Sequence, residues 1–374
     1  MGRSAVWLKR AGPDDILMAM KTKIVTIDSA CCREEDLQEA AQILRDGGLV
    51  AFPTETVYGL GANALMPEAA QKTYAAKGRP SDNPLIVHIA EKEEVYTVAA
   101  EVSEAAERLM DAFWPGPMTL VLKRTDIVPK ETTGGLDTVA VRMPSHPVAN
   151  RLIRLAGVPV SAPSANLSGH PSPTEARFVI EDLNGRVDMI IDGGPVEIGL
   201  ESTIIDLTGE APVILRPGFI TREELKRVTA GVEMDPAIMG PPAKDLVPRA
   251  PGMKYRHYAP KAQMTIYGGD PEAVRKRIAL ELAAAKQKGQ KTGVLCAAEN
   301  RDYYNTDVLK CAGEVGSDDE IARNLYRCLR EFDDEGVEII FSERFSGGRL
   351  EEAIMNRLMK AAGYRLVMVD EEGI

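Results

Sequence analysis

The chain has 374 residues, of which 44% are hydrophobic and 27% are charged; this length favours two domains, and this composition excludes a disordered chain. No apolar run approaches the ~18 residues of a membrane span, and the first residues lack the apolar stretch and cleavage site of a signal peptide, so we expect a cytoplasmic protein. The formal net charge of −11 argues against direct binding to RNA or DNA, although it leaves room for a local basic patch.

The first two thirds of the chain mix strands and helices without strict alternation. Helices are predicted over residues 34–46, 67–77, 103–113 and 147–156. Strands are predicted over residues 49–52, 85–89, 118–122, 138–142, 158–162, 187–191, 203–207 and 212–215. The helix signals are apolar residues three and four apart, a proline such as Pro67 at a first position, and a glycine such as Gly78 at an end. The mixture favours an α+β arrangement or a mixed sheet.

A proline-rich basic segment follows, from residue 239 to residue 262. Its five prolines exclude a regular element, and five Lys or Arg against a single Asp give it a net charge of +4 within an acidic chain. It could be a semi-rigid spacer between domains, or a strap over an anionic ligand. The residues alone leave both interpretations open.

The last third alternates strictly between strands and helices. Strands are predicted over 264–267, 293–296 and 337–341, and helices after each of them. Asp270 is predicted to cap the first helix, and Ser317 with Glu320 to form a capping box on the second. Such alternation predicts a small doubly wound parallel sheet.

The cysteines and histidines do not form a ligand pattern. The five cysteines include no C-x-x-C pair, which argues against a disulfide framework or a zinc ribbon. The four histidines show no H-x-x-x-H spacing. We therefore expect no metal bound by protein side chains alone.

Residues 59–64 match the pattern G-x-G-x-x-A. A dinucleotide fingerprint needs a strand before it and a helix opening on it, whereas Pro53–Thr56 precedes this segment and the next predicted helix starts only at Pro67. A dinucleotide site is therefore not favoured. The chain also has no P-loop sequence, so any ATP would be bound without Walker chemistry.

The segment Lys77–Pro84 is a candidate phosphate site. Lys77, in a last helical turn, could simply complement the helix dipole. Arg79, however, follows the glycine that ends the helix, and two prolines stiffen the loop that carries Asn83. Two cations and an amide on a rigid loop suit a polyphosphate.

Polar residues also stand at the edges of several apolar strands. Ser161–Gly169 ends one strand, at the position where α/β folds place ligands, although a turn of Ser and Asn would look the same. No G-x-S-x-G motif surrounds Ser164, so a serine hydrolase is not favoured. The same placement is found for Thr54–Thr56, Arg142–Pro144, Glu201–Thr203 and Arg216–Gly218. Several such edges in one domain predict a polar-lined concave face.

These motifs together resemble the YrdC-type threonylcarbamoyl-AMP synthases. The resemblance lies in PTETVYGLG at 53–61, KGRPSDNPL at 77–85, SAPSAN at 161–166 and EST at 201–203. HYAP at 257–260 and the additional α/β domain are similar to the longer, two-domain branch of that family. The resemblance runs from about Lys23 to the C-terminus.

The resemblance implies a fold and a division of the chain. A twisted mixed-sheet α/β domain with a concave cavity should be followed by a Rossmann-like domain with a parallel sheet. The implied parts are an N-terminal extension over 1–22, the YrdC-like catalytic domain over 23–230, the basic linker over 231–262 and the Rossmann-like domain over 263–374.

The resemblance also implies an activity. L-threonine, bicarbonate or CO2, and ATP would give threonylcarbamoyl-AMP and pyrophosphate, and the product would feed threonylcarbamoyladenosine formation in tRNA. Mg²⁺ would accompany ATP, bound mostly through phosphates and water. The machinery that transfers the threonylcarbamoyl group to tRNA is a further partner suggested by the resemblance.

Residue roles carry over by motif position. Lys77 and Arg79 are the implied catalytic residues. The implied ATP contacts are Lys77, Arg79, Asn83, Thr138, Ser164, Asn166, Ser172, Arg216, His257 and Tyr258. The implied threonine contacts are Thr56, His88, Arg142, the backbone of Ala162, and Ser202.

Two other functions compete with this interpretation. A concave basic cavity could hold an RNA duplex, against which the net charge of −11 counts. A carbamoyltransferase would need an acylphosphatase-like or zinc-bearing segment, and the sequence shows neither.

Overall fold

The computed structural model describes residues 21–238, 240–241, 248–254 and 258–370. The strands in these residues are β1 Lys23–Thr26, β2 Val50–Phe52, β3 Gly59–Asn63, β4 Ile86–His88, β5 Met118–Lys123, β6 Thr138–Arg142, β7 Val160–Ser161, β8 Met189–Asp192, β9 Thr203–Asp206, β10 Val213–Arg216, β11 Glu233–Met234, β12 Gln263–Gly269, β13 Thr292–Ala297, β14 Val308–Gly313, β15 Ile339–Glu343 and β16 Leu366–Val369. The α-helices are α1 Glu34–Arg45, α2 Pro67–Lys77, α3 Val95–Val98, α4 Glu104–Phe113, α5 Pro147–Ala156, α6 Ala176–Leu183, α7 Arg222–Val228, α8 Pro271–Gln287, α9 Asp318–Asp334 and α10 Glu351–Ala361.

The N-terminal domain is built on one mixed sheet. Its strands lie in the order β1-β8-β2-β3-β7-β4-β6-β5-β9-β10-β11. The pairs β1–β8 and β4–β6 are parallel, whereas β2–β3 and β5–β6 are antiparallel. The predicted mixed sheet is confirmed.

The glycine-rich segment that matched G-x-G-x-x-A is strand β3. It pairs antiparallel with β2, so Gly61 lies opposite Val50. A Cβ on Gly61 would stand 2.6 Å from the ring of Phe52. This glycine therefore permits close packing inside the sheet, and a role in binding phosphate is not needed to explain it.

The helix termini follow the sequence signals at most positions. Gly78 ends α2 in the left-handed conformation, with φ of 59°, and Asp270 caps α8 through its side chain. The predicted capping box on α9 is wrong. Ser317 makes no side-chain cap hydrogen bond, and Glu320 instead accepts one from the backbone N–H of Glu314.

The C-terminal domain is a five-stranded, fully parallel sheet in the order β14-β13-β15-β12-β16. Helix α8 packs against one face of it, with Val294 and Phe341, and α9 and α10 pack against the other, with Leu295 and Ile340. Helices on both faces confirm the predicted doubly wound arrangement.

Helices α9 and α10 also form the contact between the two domains. Arg330 of α9 donates to the carbonyl of Pro171 and pairs with Asp182 at 2.7 Å, with both side chains buried. The N-terminal sheet continues through β11, a few residues into the segment predicted as linker. Within the described part of the chain, no helix is long and apolar enough to cross a bilayer.

Candidate active site

A polar cavity lies between residues on and beside strands of the N-terminal sheet and residues of the linker. Its free volume is about 50 Å³. Predicted site residues in its lining are Thr56, Arg79, His88, Arg142, Ala162, Ser164, Asn166, Ser172, Ser202, Arg216 and Tyr258. Residues that sequence reasoning did not assign are Val57, Ile86, Pro163, His170, Glu201, Pro251 and Gly252. The sheet thus brings most of the predicted residues together.

Four predicted residues are not in this lining. Lys77, Asn83 and Thr138 lie outside it. His257 lies outside the residues that the structure describes. The predicted roles of these four, like those of the residues in the lining, remain predictions.

Lys77 lies behind the cavity. Its Nζ donates to the backbone carbonyls of Ser164 and Asn166. Burial lowers the pKa of Lys77 well below its ordinary value, and the charge of Arg79 lowers it further. In this conformation Lys77 fixes the loop that carries Ser164 and Asn166, so it shapes the cavity without lining it.

Arg79 belongs to the cavity itself. Its Nη2 donates to the carbonyls of Pro84, at 3.0 Å, and Asn83, at 3.3 Å. Burial lowers the pKa of Arg79 to about 10, so the guanidinium is still charged at neutral pH. The stiff loop predicted from the prolines therefore holds a cation at the cavity.

His88 and Arg142 are register partners on the parallel strands β4 and β6. Burial, together with the charge of Arg142, lowers the pKa of His88 to about 3. The imidazole is therefore neutral at physiological pH, and it can offer a hydrogen bond but no charge.

Arg142 forms a buried ion pair with Glu55. Arg142 Nη2 lies 2.6 Å from Glu55 Oε1 in an ion pair that lacks hydrogen-bond alignment, and each side chain is only 5% exposed. Arg142 Nε also donates to the carbonyl of Gly116 at 3.3 Å. The sequence placed Glu55 in a polar motif without giving it a role, because the partner lies on a distant strand.

Ser202 bonds to residues on two strands of the sheet, Thr119 on β5 and Arg216 on β10. Its Oγ lies 2.7 Å from Thr119 Oγ1 and accepts a hydrogen bond from Arg216 Nη2 at 3.0 Å. Arg216 Nε donates to the carbonyl of Ser202 at 3.0 Å. Oδ1 of Asn166 is buried without a hydrogen-bond partner among the described residues, which leaves an acceptor for a ligand.

Glu201 is the carboxylate in this lining, and it has partners in both domains. Its Oε1 accepts from Ser172 Oγ at 2.6 Å, and its Oε2 accepts from Tyr326 OH and from Arg357 Nε, each at 2.9 Å. Burial alone would raise the pKa of Glu201, but the charges of Arg357 and Arg216 outweigh it and lower the pKa to about 2. Glu201 is therefore ionised.

The linker residues Pro251, Gly252 and Tyr258, here termed the roof, are held by the C-terminal domain. Lys360 Nζ donates to the carbonyl of Gly252 at 2.9 Å, and the ring of Tyr258 stacks on that of Tyr326 with centroids 5.1 Å apart. Helices α9 and α10 therefore position the roof over the sheet.

Burial of Lys360 gives a pH dependence of stability. Burial, with the charges of Arg357 and Arg216, lowers the pKa of Lys360 from 10.5 to about 7. Between these values the unfolded chain binds a proton that the folded protein lacks. The contribution of Lys360 to the free energy of unfolding should therefore increase from pH 7 to pH 9, by at most about 1.4 kcal/mol per pH unit.

Urea unfolding of the wild type and of Lys360→Met at pH 7, 8 and 9 measures this contribution. The difference between the two free energies of unfolding should grow with pH. Lys288→Met, at an exposed lysine, is the control and should show no such growth. A difference for Lys360→Met that is constant or shrinks would contradict the assignment.

The chain is similar to known proteins over nearly its whole length. A Sua5, YciO and YrdC family model described as "Telomere recombination" matches residues 42–218, and a model described as "Threonylcarbamoyl-AMP synthase, C-terminal domain" matches residues 220–363. The threonylcarbamoyl-AMP synthase of Pyrococcus abyssi is 49% identical over 336 residues, which cover 90% of this chain and 96% of that protein. That of Bacillus subtilis is 46% identical over 352 residues, covering 93% and 100%.

A solved structure shows the same similarity. The crystal structure of P. abyssi Sua5 complexed with L-threonine has a TM-score of 0.89 to this chain, at 48% identity. The match covers 93% of this chain and 100% of that one. Both domains and their arrangement are therefore shared with that protein.

Proposed function

Since this chain belongs to the threonylcarbamoyl-AMP synthase family, in its two-domain form, we propose that its cavity joins L-threonine, bicarbonate or CO2, and ATP into threonylcarbamoyl-AMP, with release of pyrophosphate. The observation that supports this most directly is the set of three arginines, Arg79, Arg142 and Arg216, in one lining with neutral hydroxyl and amide groups. Such a lining suits anionic substrates. The product would serve threonylcarbamoyladenosine formation in tRNA.

The arrangement divides into two halves. Arg79 and Arg216, with Ser164, Asn166 and Ser172, would bind the nucleotide. Thr56, His88, Arg142, Ser202 and the backbone of Ala162 would bind threonine, whose carboxylate needs a cation such as Arg142.

The chemistry needs positioned charges more than a strong base. Threonine's amine captures CO2 as a carbamate, and a carbamate oxygen attacks the α-phosphorus of ATP as the bond to pyrophosphate breaks. Negative charge develops on the phosphate oxygens and on the leaving group. Fixed cations and hydrogen-bond donors that are already in place stabilise that charge without reorganising.

Mg²⁺ fits this site only as a partner of the nucleotide. The described residues contain no group of three or more His, Cys, Asp or Glu that could hold a metal ion. In the lining, Glu201 is engaged by Arg357 and Tyr326, and Asn166 Oδ1 is the acceptor without a partner. Phosphates and water would therefore supply most of the ligands, and the ion would neutralise phosphate charge.

The roof must move for a nucleotide to enter. The free volume of about 50 Å³ is far below that of ordinary ligand pockets, which is about 300–1,000 Å³. Pro251, Gly252 and Tyr258 belong to the linker, which has no regular helix or strand in its described residues after Ile238. This supports a linker that closes over the nucleotide, as its basic charge suggests.

Pyrophosphate release from ATP tests the function. Release should require both threonine and bicarbonate, and mass spectrometry should detect threonylcarbamoyl-AMP. Pyrophosphate release that does not depend on threonine, or does not depend on bicarbonate, would refute the proposal. Salt-sensitive RNA binding without any turnover would favour the RNA-binding alternative.

A further inference from the structure

Arg357 joins the two chain segments that carry Ser202 and Arg216 in the cavity lining. It belongs to α10 in the C-terminal domain, and its side chain is 0% exposed. Its Nε donates to Glu201 Oε2 at 2.9 Å, and its Nη1 donates to the carbonyl of Pro217 at 2.7 Å. Glu201 directly precedes Ser202, and Pro217 directly follows Arg216. The guanidinium of Arg357, from the second domain, thus holds the neighbours of Ser202 and Arg216 in the first domain.

Glu201 has a second cation within its electrostatic reach. The charge of Arg216 also lowers the pKa of Glu201. A buried carboxylate that loses its partner is left with a large desolvation cost, which favours pairing with another cation close by. Arg216 is such a cation, because its guanidinium bonds to the backbone carbonyl and the Oγ of Ser202, the residue next to Glu201.

We propose that Arg357 is a positioning residue for the nucleotide site, because it neutralises Glu201 and so leaves Arg216 available to the phosphates of ATP. The C-terminal domain thereby supplies the positive charge that balances Glu201 in the lining of a cavity in the other domain. The hydroxyl of Tyr326 assists from α9 by donating to the same carboxylate. This inference rests on the proposed function, since it assumes that ATP is the ligand.

Calorimetric binding of ATP, without threonine, separates this role from turnover. Arg357→Met should weaken ATP binding about 10–100-fold, since Arg216 is diverted to Glu201. Arg357→Lys, which keeps the positive charge, should bind within about threefold of the wild type. The double variant Glu201→Gln/Arg357→Met should also bind within about threefold, because no carboxylate is left to divert Arg216.

Arg349→Met is the matched control. Arg349 also links the domains, through the carbonyl of Phe219 at 3.0 Å, but it is 40% exposed and does not reach the lining. It should leave ATP affinity unchanged. If Arg357 only holds the interface together, Arg357→Met and Arg349→Met will behave alike and the double variant will bind no better than Arg357→Met; either result overturns the proposal.

Two further comparisons keep the test decisive. If Arg357→Met does not fold, the double variant and Arg357→Lys decide: affinity within threefold of the wild type in both supports the proposal, and a tenfold loss in either overturns it. A wild type that neither binds ATP nor releases pyrophosphate refutes the proposed function. A wild type that does both, with Arg357→Met unchanged, refutes this inference alone.

Discussion

Replacing Arg79 by alanine should lower kcat/KM for ATP by about 10²–10³-fold, the usual effect of removing one fixed group that stabilises developing charge. The guanidinium is held by two backbone carbonyls, of Asn83 and Pro84, so it is oriented before substrate arrives. Water would replace it poorly, because water must reorganise as charge develops on the phosphates. Steady-state pyrophosphate release at varied ATP measures the loss.

Arg108→Ala is a suitable control for Arg79→Ala. Arg108 lies on α4, is half exposed, and among the residues that the structure describes pairs only with Glu104 one turn away. Its loss should change kcat/KM by less than twofold. If Arg79→Ala keeps more than a third of the wild-type kcat/KM while remaining folded, Arg79 does not act on the reacting phosphates.

The second large effect is expected at Arg142. Arg142→Met would leave Glu55 buried without its partner, and breaking a buried ion pair costs about 3–5 kcal/mol of stability. The same substitution should abolish threonine-dependent turnover, because it removes the cation proposed to hold the threonine carboxylate. Chemical unfolding and pyrophosphate release measure the two losses separately.

The double variant Glu55→Gln/Arg142→Met separates the two roles of Arg142. Replacing both partners removes the unpaired charge, so most of the lost stability should return. Threonine-dependent turnover should not return. Recovery of both properties would mean that Arg142 supports the fold only and does not bind threonine.

The sequence was sufficient to predict those helices and strands whose signals lie within the element itself or at its ends. Helices α1, α2 and α5 have apolar residues at helical spacing, and prolines or glycines mark the ends of α2 and α5. Strand β3 was missed because Gly59–Asn63 has low strand propensity, and its place depends on pairing with β2. Strands β14 and β16 were missed as well, and both lie at edges of their sheet.

The candidate site was likewise predicted only where its signals are local in the sequence. The arginines and serines at strand edges were predicted from short motifs of a few consecutive residues each, and their roles from the family resemblance. The link from Glu201 to Arg357 spans 156 residues, and no local pattern indicates it. The contact of Lys77 with ATP remains a prediction, and no local pattern indicated that its Nζ donates to the carbonyls of Ser164 and Asn166. Its orientation depends on how a remote loop folds over α2.

The Glu201–Arg357 pair also has a consequence for biosynthesis. A ribosome makes Glu201 well before Tyr326 and Arg357, which follow it by 125 and 156 residues. Domains generally fold in the order in which they emerge, so the first domain begins to fold with Glu201 lacking both partners. A nascent chain that ends before Arg357 must protonate this carboxylate, keep it hydrated or pair it with Arg216. The N-terminal domain therefore reaches its full stability only after the second domain has been synthesised.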